Sequence, residues 1–179
     1  IDVTAAQWQP GINPISVSLD ASAIARPGHY ALIGVIDPDN AIVESIESNN
    51  QALAVSPLQV EFAVGQLAGR SPVPSLAFSD ADGTRLTLSI VGPGVARLEK
   101  TVNGYQLTLA GTDASSRVEL TGSGGDGRVV LSGITAGDPL GSLVAPIASL
   151  TGAARFAALA NLTLGDIASD GRLQGDSLT

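Results

Sequence analysis

The pattern of apolar and polar positions along the chain predicts short β-strands separated by tight turns. Three apolar runs, LTLAG, VELTG and VVLSG, end at Gly111, Gly122 and Gly133, which lie eleven residues apart. Short strands at a fixed spacing are typical of stacked or meandering β-structure, in which each unit buries its face against its neighbours. Residues 78–179 are therefore predicted to form a glycine-rich β-solenoid or a stack of hairpins.

Two hairpins are predicted within this region. Asp82-Gly83 lies between two apolar runs, and Asn103-Gly104 is the strongest short-range hairpin signal in the chain. A two-residue loop at Asn103-Gly104 also predicts a register, which would give the second hairpin one apolar and one polar face. The predicted pairs are Val102 with Tyr105, Lys100 with Leu107 and Leu98 with Leu109.

The leucines of the C-terminal part recur at a longer spacing. Leu140 and Leu143 reappear as Leu159 and Leu162, which is about one coil of a β-solenoid later. Between them, residues 153–160 (AARFAALA) have helical propensity, but eight residues are too few for a stable isolated helix. We expect this segment to be an irregular part of a coil. The region from Phe78 onward resembles the solenoid modules repeated in giant bacterial surface proteins.

The N-terminal part shows strand patterns of another kind. ISVSL, from Ile15, alternates apolar and polar residues, as a half-buried strand does. HYALIGVID is apolar on both faces and predicts a central strand of a sandwich, and Asp37 to Asn40 (DPDN) predicts a turn before the next strand.

The segment GHYALIGVIDPDNAIVESIESNN resembles the C-terminal signature of the bacterial cell-adhesion-related domain CARDB, an immunoglobulin-like sandwich of large secreted and surface proteins. The matching positions are Gly28, Tyr30, Asp37, Asn40, Glu44, Glu47, Asn49 and Asn50. Ile46 departs from the family pattern, which has a polar residue there. The resemblance covers roughly residues 13–57 and implies the last third to half of such a domain. The resulting division is a CARDB-like part over residues 1–57, a connection over 58–77 and the repeat region over 78–179.

Composition limits the chemistry of the chain. Seventeen acidic and nine basic residues give a formal charge of −8, which would repel nucleic acid. The chain contains no cysteine, so it has no disulfide, thiol nucleophile or cysteine zinc site, and His29 is its single histidine. No apolar run approaches the roughly 20 residues that cross a bilayer. The start at Ile1, without a signal peptide, is expected of an excerpt from a longer polypeptide.

Two acidic turns are candidate calcium sites, because closely spaced Asp and Asn side chains can supply several oxygens to a hard cation. Such residues also favour turns for conformational reasons alone. The first candidate site comprises Asp37, Asp39, Asn40, Glu44 and Glu47, and the second comprises Asp80 and Asp82. No other cofactor is expected, and calcium is not required.

Other motifs favour structural interpretations. Gly122 to Gly127 matches GxGxxG, but a dinucleotide site needs a helix to follow, and the next residues predict a strand. The same residues begin like a calcium-binding GGxGxD repeat, but Val129 stands where the carboxylate should be. The chain contains no GxSxG serine elbow, so His29 has no candidate serine nucleophile to activate. Asp126, Asp138, Asp166 and Asp170 are candidate glycosidase carboxylates, although none has an acidic or basic companion in the sequence.

These observations predict a non-catalytic segment of a secreted bacterial surface protein, serving cell adhesion or the display of binding modules. Its expected partners are an unknown surface ligand, either carbohydrate or protein, and neighbouring modules of the same polypeptide, without nucleic acid or a membrane span. The expected location is extracellular or on the cell surface. The alternatives are a polysaccharide hydrolase or lyase carried on a β-helix, and a pure structural spacer.

Overall fold

The computed structural model describes residues 28–31, 33–35, 39, 43, 50–53, 58–69 and 71–175. In this part of the chain the protein is all-β, as the sequence predicts, with twelve strands and no helix. No helix among these residues is therefore long and apolar enough to span a membrane. The strands are β1 Gly28–Tyr30, β2 Ile33–Val35, β3 Gln51–Leu53, β4 Leu58–Gly65, β5 Ser75–Ser79, β6 Arg85–Val91, β7 Val95–Thr101, β8 Gly104–Ala110, β9 Arg117–Ser123, β10 Val129–Leu150, β11 Ala153–Ile167 and β12 Arg172–Gly175.

Ten strands form one large sheet. The strand pairs that include β10 or β11 are parallel, and the other pairs are antiparallel. The order along the main path is β1-β4-β7-β8-β10-β9-β6-β5, and β11 and β12 extend the sheet from β10. The two arms of this path approach each other, because β4 lies against β5 and β6. A hydrogen bond from the Gly65 amide to the Val73 carbonyl (2.6 Å) joins β4 to the segment before β5, and one from the Ile90 amide to the Pro74 carbonyl (3.0 Å) joins that segment to β6.

Both predicted hairpins are present. β5 and β6 pair across the Asp82-Gly83 turn, and β7 and β8 pair across the second turn. The predicted register of the second hairpin is wrong by two residues, because Lys100 pairs with Tyr105 and Leu98 pairs with Leu107. Since side chains alternate with a period of two, this shift leaves the paired side chains of β7 and β8 on their predicted faces.

The loop of the second hairpin consists of Val102 and Asn103 rather than Asn103 and Gly104. Gly104 instead opens β8 with φ +126°, and a Cβ there would meet the Val130 carbonyl oxygen at 2.5 Å. Glycine is thus required by the close approach of β10 as well as by the turn. Val102, which was expected on the buried face, lies at the tip and is fully exposed.

β10 joins the antiparallel and parallel parts of the sheet. On one side it pairs in parallel with β8 through Leu131 to Ala136 and with β9 through Ser142 to Val144. On its other side it pairs in parallel with β11 along most of its length, and β12 continues the stack beyond β11.

The leucines that recur in the sequence are partners in this pairing. Leu140 is the partner of Leu159, and Leu143 is the partner of Leu162. Residues 153–160 are regular strand, because burial of Ala154 and Phe156 against β10 outweighs their local helical propensity.

The eleven-residue spacing does not correspond to successive stacked strands. β8 and β9 are not neighbours, because each pairs with a different part of β10. The parallel partners in β10 and β11 lie 17 to 20 residues apart instead. The stacked unit is therefore longer than the glycine spacing predicts.

The core consists mainly of leucine, isoleucine, valine and alanine, as a chain poor in aromatic residues requires. It is continuous from Val64 in β4 to Leu159 in β11. A small aromatic cluster lies within it, where the Phe78 ring packs against Phe62 at 4.8 Å and against Tyr105 at 6.2 Å between centroids. One core therefore spans the antiparallel and parallel strands.

The N-terminal part is described only in pieces. β1 pairs antiparallel with β4, and β2 and β3 form a separate two-stranded antiparallel sheet. The predicted strand at Ile15 and most of the CARDB-like segment lie outside the described residues. Residues 58–77, expected to be a connection that begins with a strand, contribute β4 and most of β5 to the large sheet.

Candidate functional site

Three turns meet around a cavity of about 300 Å³. They are the turn between β5 and β6, the tip of the β7–β8 hairpin and the glycine-rich turn between β9 and β10. The lining combines three aspartates with two basic residues and a tyrosine. The lining residues that carry polar chemistry are Asp80, Asp82, Lys100, Asn103, Tyr105, Asp126 and Arg128.

Asp82 holds two of these turns together. Its Oδ1 accepts a hydrogen bond from the Thr84 amide at 2.9 Å, and its Oδ2 accepts one from the Thr84 hydroxyl at 2.9 Å. The Asp126 amide, 44 residues further along the chain, donates to the same Oδ2 at 2.8 Å. A Cβ at Gly125 would collide with the Thr84 hydroxyl, so the two turns approach this closely only with glycine there.

These donors also determine the charge of Asp82. The Asp126 amide, followed by the Thr84 amide and hydroxyl, holds the pKa of the Asp82 carboxyl well below its usual range. Hydrogen bonds to the ionised form stabilise that form. Asp82 is therefore an anion that fixes the turns, and it is poorly suited to act as a general acid.

Asp80 forms a second polar group with Tyr105 and Lys100. The Tyr105 hydroxyl donates to Asp80 Oδ1 at 2.8 Å, while the tyrosine ring is buried in the core. Lys100 Nζ lies 3.7 Å from the same carboxylate oxygen and 4.2 Å from the centre of the Tyr105 ring. The only lysine of the chain is thus held by an ion pair and a cation–π contact at the wall of the cavity.

Arg128 and Asp126 line both this cavity and a second one of about 420 Å³, whose lining also includes Ser149 and Asp166. The Arg128 amide donates to Asp126 Oδ1 at 2.8 Å, and its side chain is exposed. A ligand in either cavity would therefore meet the same guanidinium group, whose planar fork of donors suits oxygen acceptors.

The cavity offers both hydrogen-bond donors and acceptors. Asp80 and Asp82 accept hydrogen bonds from protein groups, and Lys100 and Arg128 bring positive charge beside them. Among the described residues, no group of three or more acidic or histidine side chains is arranged to hold a metal ion. Calcium at Asp80 and Asp82 would have to displace protein donors, and it stays a prediction.

The first candidate calcium site falls almost wholly outside the described residues. Asp39 lies in a turn and is exposed, as the sequence predicts. The other members of this site, Asp37, Asn40, Glu44 and Glu47, lie outside the described part of the chain. This site also stays a prediction.

Two of the four candidate glycosidase carboxylates line a common cavity. Asp138 accepts a hydrogen bond from the Gly111 amide at 2.7 Å, Asp166 accepts one from the Ile167 amide, and Asp170 lies exposed in a turn. Asp126 lines the first cavity with Asp82 and Arg128, and it lines the second cavity with Arg128 and Asp166. The sequence interpretation that Asp126 lacks an acidic or basic companion is therefore wrong.

Sequence reasoning missed Lys100, Tyr105 and Arg128 as members of one site. The available signal was their position, because each lies within a few residues of a predicted turn. His29, the single histidine, lies in β1 opposite Gln59 and is not among the residues that line the cavity.

Comparisons of the chain with protein-family models, with curated proteins and with solved structures find no match.

Replacement of Asp82 by asparagine is expected to make stability less sensitive to acid. The folded-state pKa of Asp82 lies below its ordinary value of 3.8, so its ionisation stabilises the fold at all pH values above 3.8. That stabilisation is lost as the pH falls through the folded-state pKa. In thermal melts followed by circular dichroism, Tm should fall more steeply below about pH 4 for the parent protein than for Asp82→Asn.

Asp170→Asn is the control for this measurement, because Asp170 is exposed in the turn between β11 and β12. It should retain the acid sensitivity of the parent. Equal slopes for the parent and Asp82→Asn below that pH would contradict the role assigned to Asp82.

Proposed function

We propose that the chain is a non-catalytic segment of a secreted bacterial surface protein, and that it serves adhesion or the display of binding modules. The observation that carries this proposal is the parallel stack of β10, β11 and β12 built on an antiparallel sheet. Stacked repeats form rigid, extended supports whose length grows with repeat number. Such a support suits a protein that presents binding surfaces.

In this proposal the parallel strands are coils of a β-solenoid. In-register parallel pairing, with Leu140 over Leu159 and Leu143 over Leu162, supports this assignment. The CARDB resemblance supports an immunoglobulin-like part before the large sheet, with an optional calcium site at the turn around Asp39. An extracellular or cell-surface location follows from these assignments.

The cavity lined by Arg128 is the proposed ligand site, and neutral carbohydrate is the proposed ligand class. Sugar hydroxyls donate and accept, which matches a lining that mixes carboxylates with cationic donors. The net charge of −8 disfavours polyanionic glycans. The cavity is open, and its lining mixes apolar surface with charged and hydroxyl-bearing side chains, which suits a projecting sugar chain.

A screen of the purified chain against immobilised neutral and acidic glycans tests this proposal. We expect retention of a subset of neutral glycans, reduced at least tenfold in affinity by Arg128→Ala, because the guanidinium group borders both cavities. Arg172→Ala is the matched control, since Arg172 is an exposed arginine of β12. It should bind as the parent does.

Other outcomes of the screen would overturn the proposal. Glycan cleavage that is lost in Asp126→Asn would favour the polysaccharide hydrolase or lyase. Absence of both binding and turnover across glycan and protein panels would favour the pure spacer.

A further inference from the structure

The parallel strands carry a 19-residue repeat. Gly133, Gly152 and Gly171 lie 19 residues apart, and Leu140 and Leu159 keep the same spacing. The second and third glycines stand at the corners where a new coil begins. A Cβ at Gly152 would collide with the Ser132 carbonyl oxygen.

Backbone hydrogen bonds join these corners. The Thr151 amide donates to the Leu131 carbonyl at 2.9 Å, and the Arg172 amide donates to the Gly152 carbonyl at 3.0 Å. Each coil therefore begins directly against the backbone of the coil before it, where a side chain would not fit.

The sequence pattern around the first of these glycines occurs again around the third. The pattern G-x-x-x-G-D-x-L occurs at residues 133–140 and again at residues 171–178. In the structure, β12 begins at Arg172 and pairs with β11 from Ala153 to Phe156. The repeat pattern is thus compatible with one more coil on the outer side of β11.

The outer edge of β11 is largely uncovered. From residue 157 to residue 167, β11 has no strand partner on this side among the described residues. This stretch contains no lysine, arginine or proline, and Asp166 is its single charged residue. Natural edge strands are usually protected by such residues or by covering elements, and an unprotected edge can accept another strand.

Paired residues of β10 and β11 differ in their burial. Leu143 in β10 is fully buried, whereas its partner Leu162 in β11 is only half-buried. Leu150 is likewise fully buried, whereas its partner Ile167 is 43% exposed. The β10 residues are buried because β11 lies beside them. Their partners on β11 have no equivalent strand on the outer side among the described residues.

We infer that residues 157–167 form a docking edge for one further parallel coil of the same repeat. The occupant is a polypeptide segment with leucines three residues apart, which adds to the sheet by main-chain hydrogen bonds and continues the leucine rows. The argument for this occupant is continuity with the β10–β11 ladder, in which Leu140 and Leu143 already make these contacts with β11. The inference does not depend on the ligand cavity.

A fluorescently labelled peptide with the sequence of residues 157–167 tests the inference with the full chain, by fluorescence anisotropy. We expect saturable binding, because this sequence forms the same ladder on β10. Leu162→Lys in the protein should weaken binding at least tenfold, since it places a charge in the row that the peptide would cover. Asn161→Lys is a second variant, which adds a charge at an exposed edge position without removing a packed side chain.

Val91→Lys is the matched control, because Val91 is an exposed apolar residue on β6. It should bind the peptide as the parent does, whereas a peptide with its leucines replaced by asparagine should not bind. Lack of saturable binding at millimolar peptide would overturn the inference, as would binding that neither edge variant weakens. Sedimentation showing dimers that Asn161→Lys dissociates, without peptide binding, would assign the edge to a second copy of the chain and also overturn it.

Discussion

Leu143→Ala is expected to lower the free energy of unfolding by about 2 to 5 kcal/mol, the range for removing a buried leucine side chain. Leu143 is fully buried in the middle of β10. It pairs with Val118 of β9 on one side and with Leu162 of β11 on the other. A cavity there would remove contacts from three strands at once, in a region where the surrounding backbone ladders resist collapse.

Chemical denaturation followed by circular dichroism measures this loss. Val91→Ala is the control, because Val91 is 68% exposed and its truncation should change stability by less than about 0.5 kcal/mol. A loss below about 1 kcal/mol for Leu143→Ala would contradict the placement of β10 between β9 and β11.

Gly152→Ala is expected to destabilise the fold by about 1 to 3 kcal/mol, the usual cost of forcing extra atoms into a packed region. The added methyl group would collide with the Ser132 carbonyl oxygen and lie 3.1 Å from the Ser132 carbonyl carbon. These are backbone atoms, so they cannot rotate away as a side chain would. The corner between β10 and β11 would have to open, and the Thr151 amide to Leu131 carbonyl hydrogen bond would be strained.

Gly137→Ala separates this steric effect from the general effect of replacing glycine. A Cβ at Gly137 would meet no atom within 4 Å, and neither glycine has a positive φ. Gly137→Ala should therefore be neutral or stabilising by about 0.4 to 1 kcal/mol, because alanine restricts the unfolded chain. Equal midpoints for both variants in thermal denaturation would contradict the close approach of Gly152 to the Ser132 backbone.

The arrangement of β10 explains how two kinds of sheet share one core. Parallel stacks expose a hydrogen-bonding edge where they begin, and such edges recruit other strands. Here β8 and β9 occupy that edge together, because β10 is long enough to pair with both in succession. The antiparallel part therefore covers the first edge of the parallel strands, whereas the outer edge of β11 is paired only with β12 among the described residues.

The β-strand content, the two hairpins and the leucine rows were predictable from the sequence. Apolar and polar residues alternate with a period of two in half-buried strands, so the strands can be recognised in the sequence. Asp82-Gly83 and Asn103-Gly104 are local turn signals. The pairing of Leu140 with Leu159 also agrees with the recurrence of leucines at one spacing in the sequence.

The order of strands and the composition of the cavity depended on tertiary structure. A register shift of two residues keeps the same faces, so the apolar pattern could not exclude the wrong pairing of Lys100 with Leu107. The eleven-residue glycine spacing suggested neighbouring strands, but only the path of β10 decided that β8 and β9 lie apart.

The hydrogen bond between Asp82 and Asp126 could not be predicted from local sequence patterns. Their hydrogen bond joins positions 44 residues apart, and it forms because β6 pairs with β9. Sequence patterns report which face a residue occupies and where the chain turns, since both depend on nearby residues. Which turns come together is decided by long-range strand pairing, whose register depends on packing throughout the core.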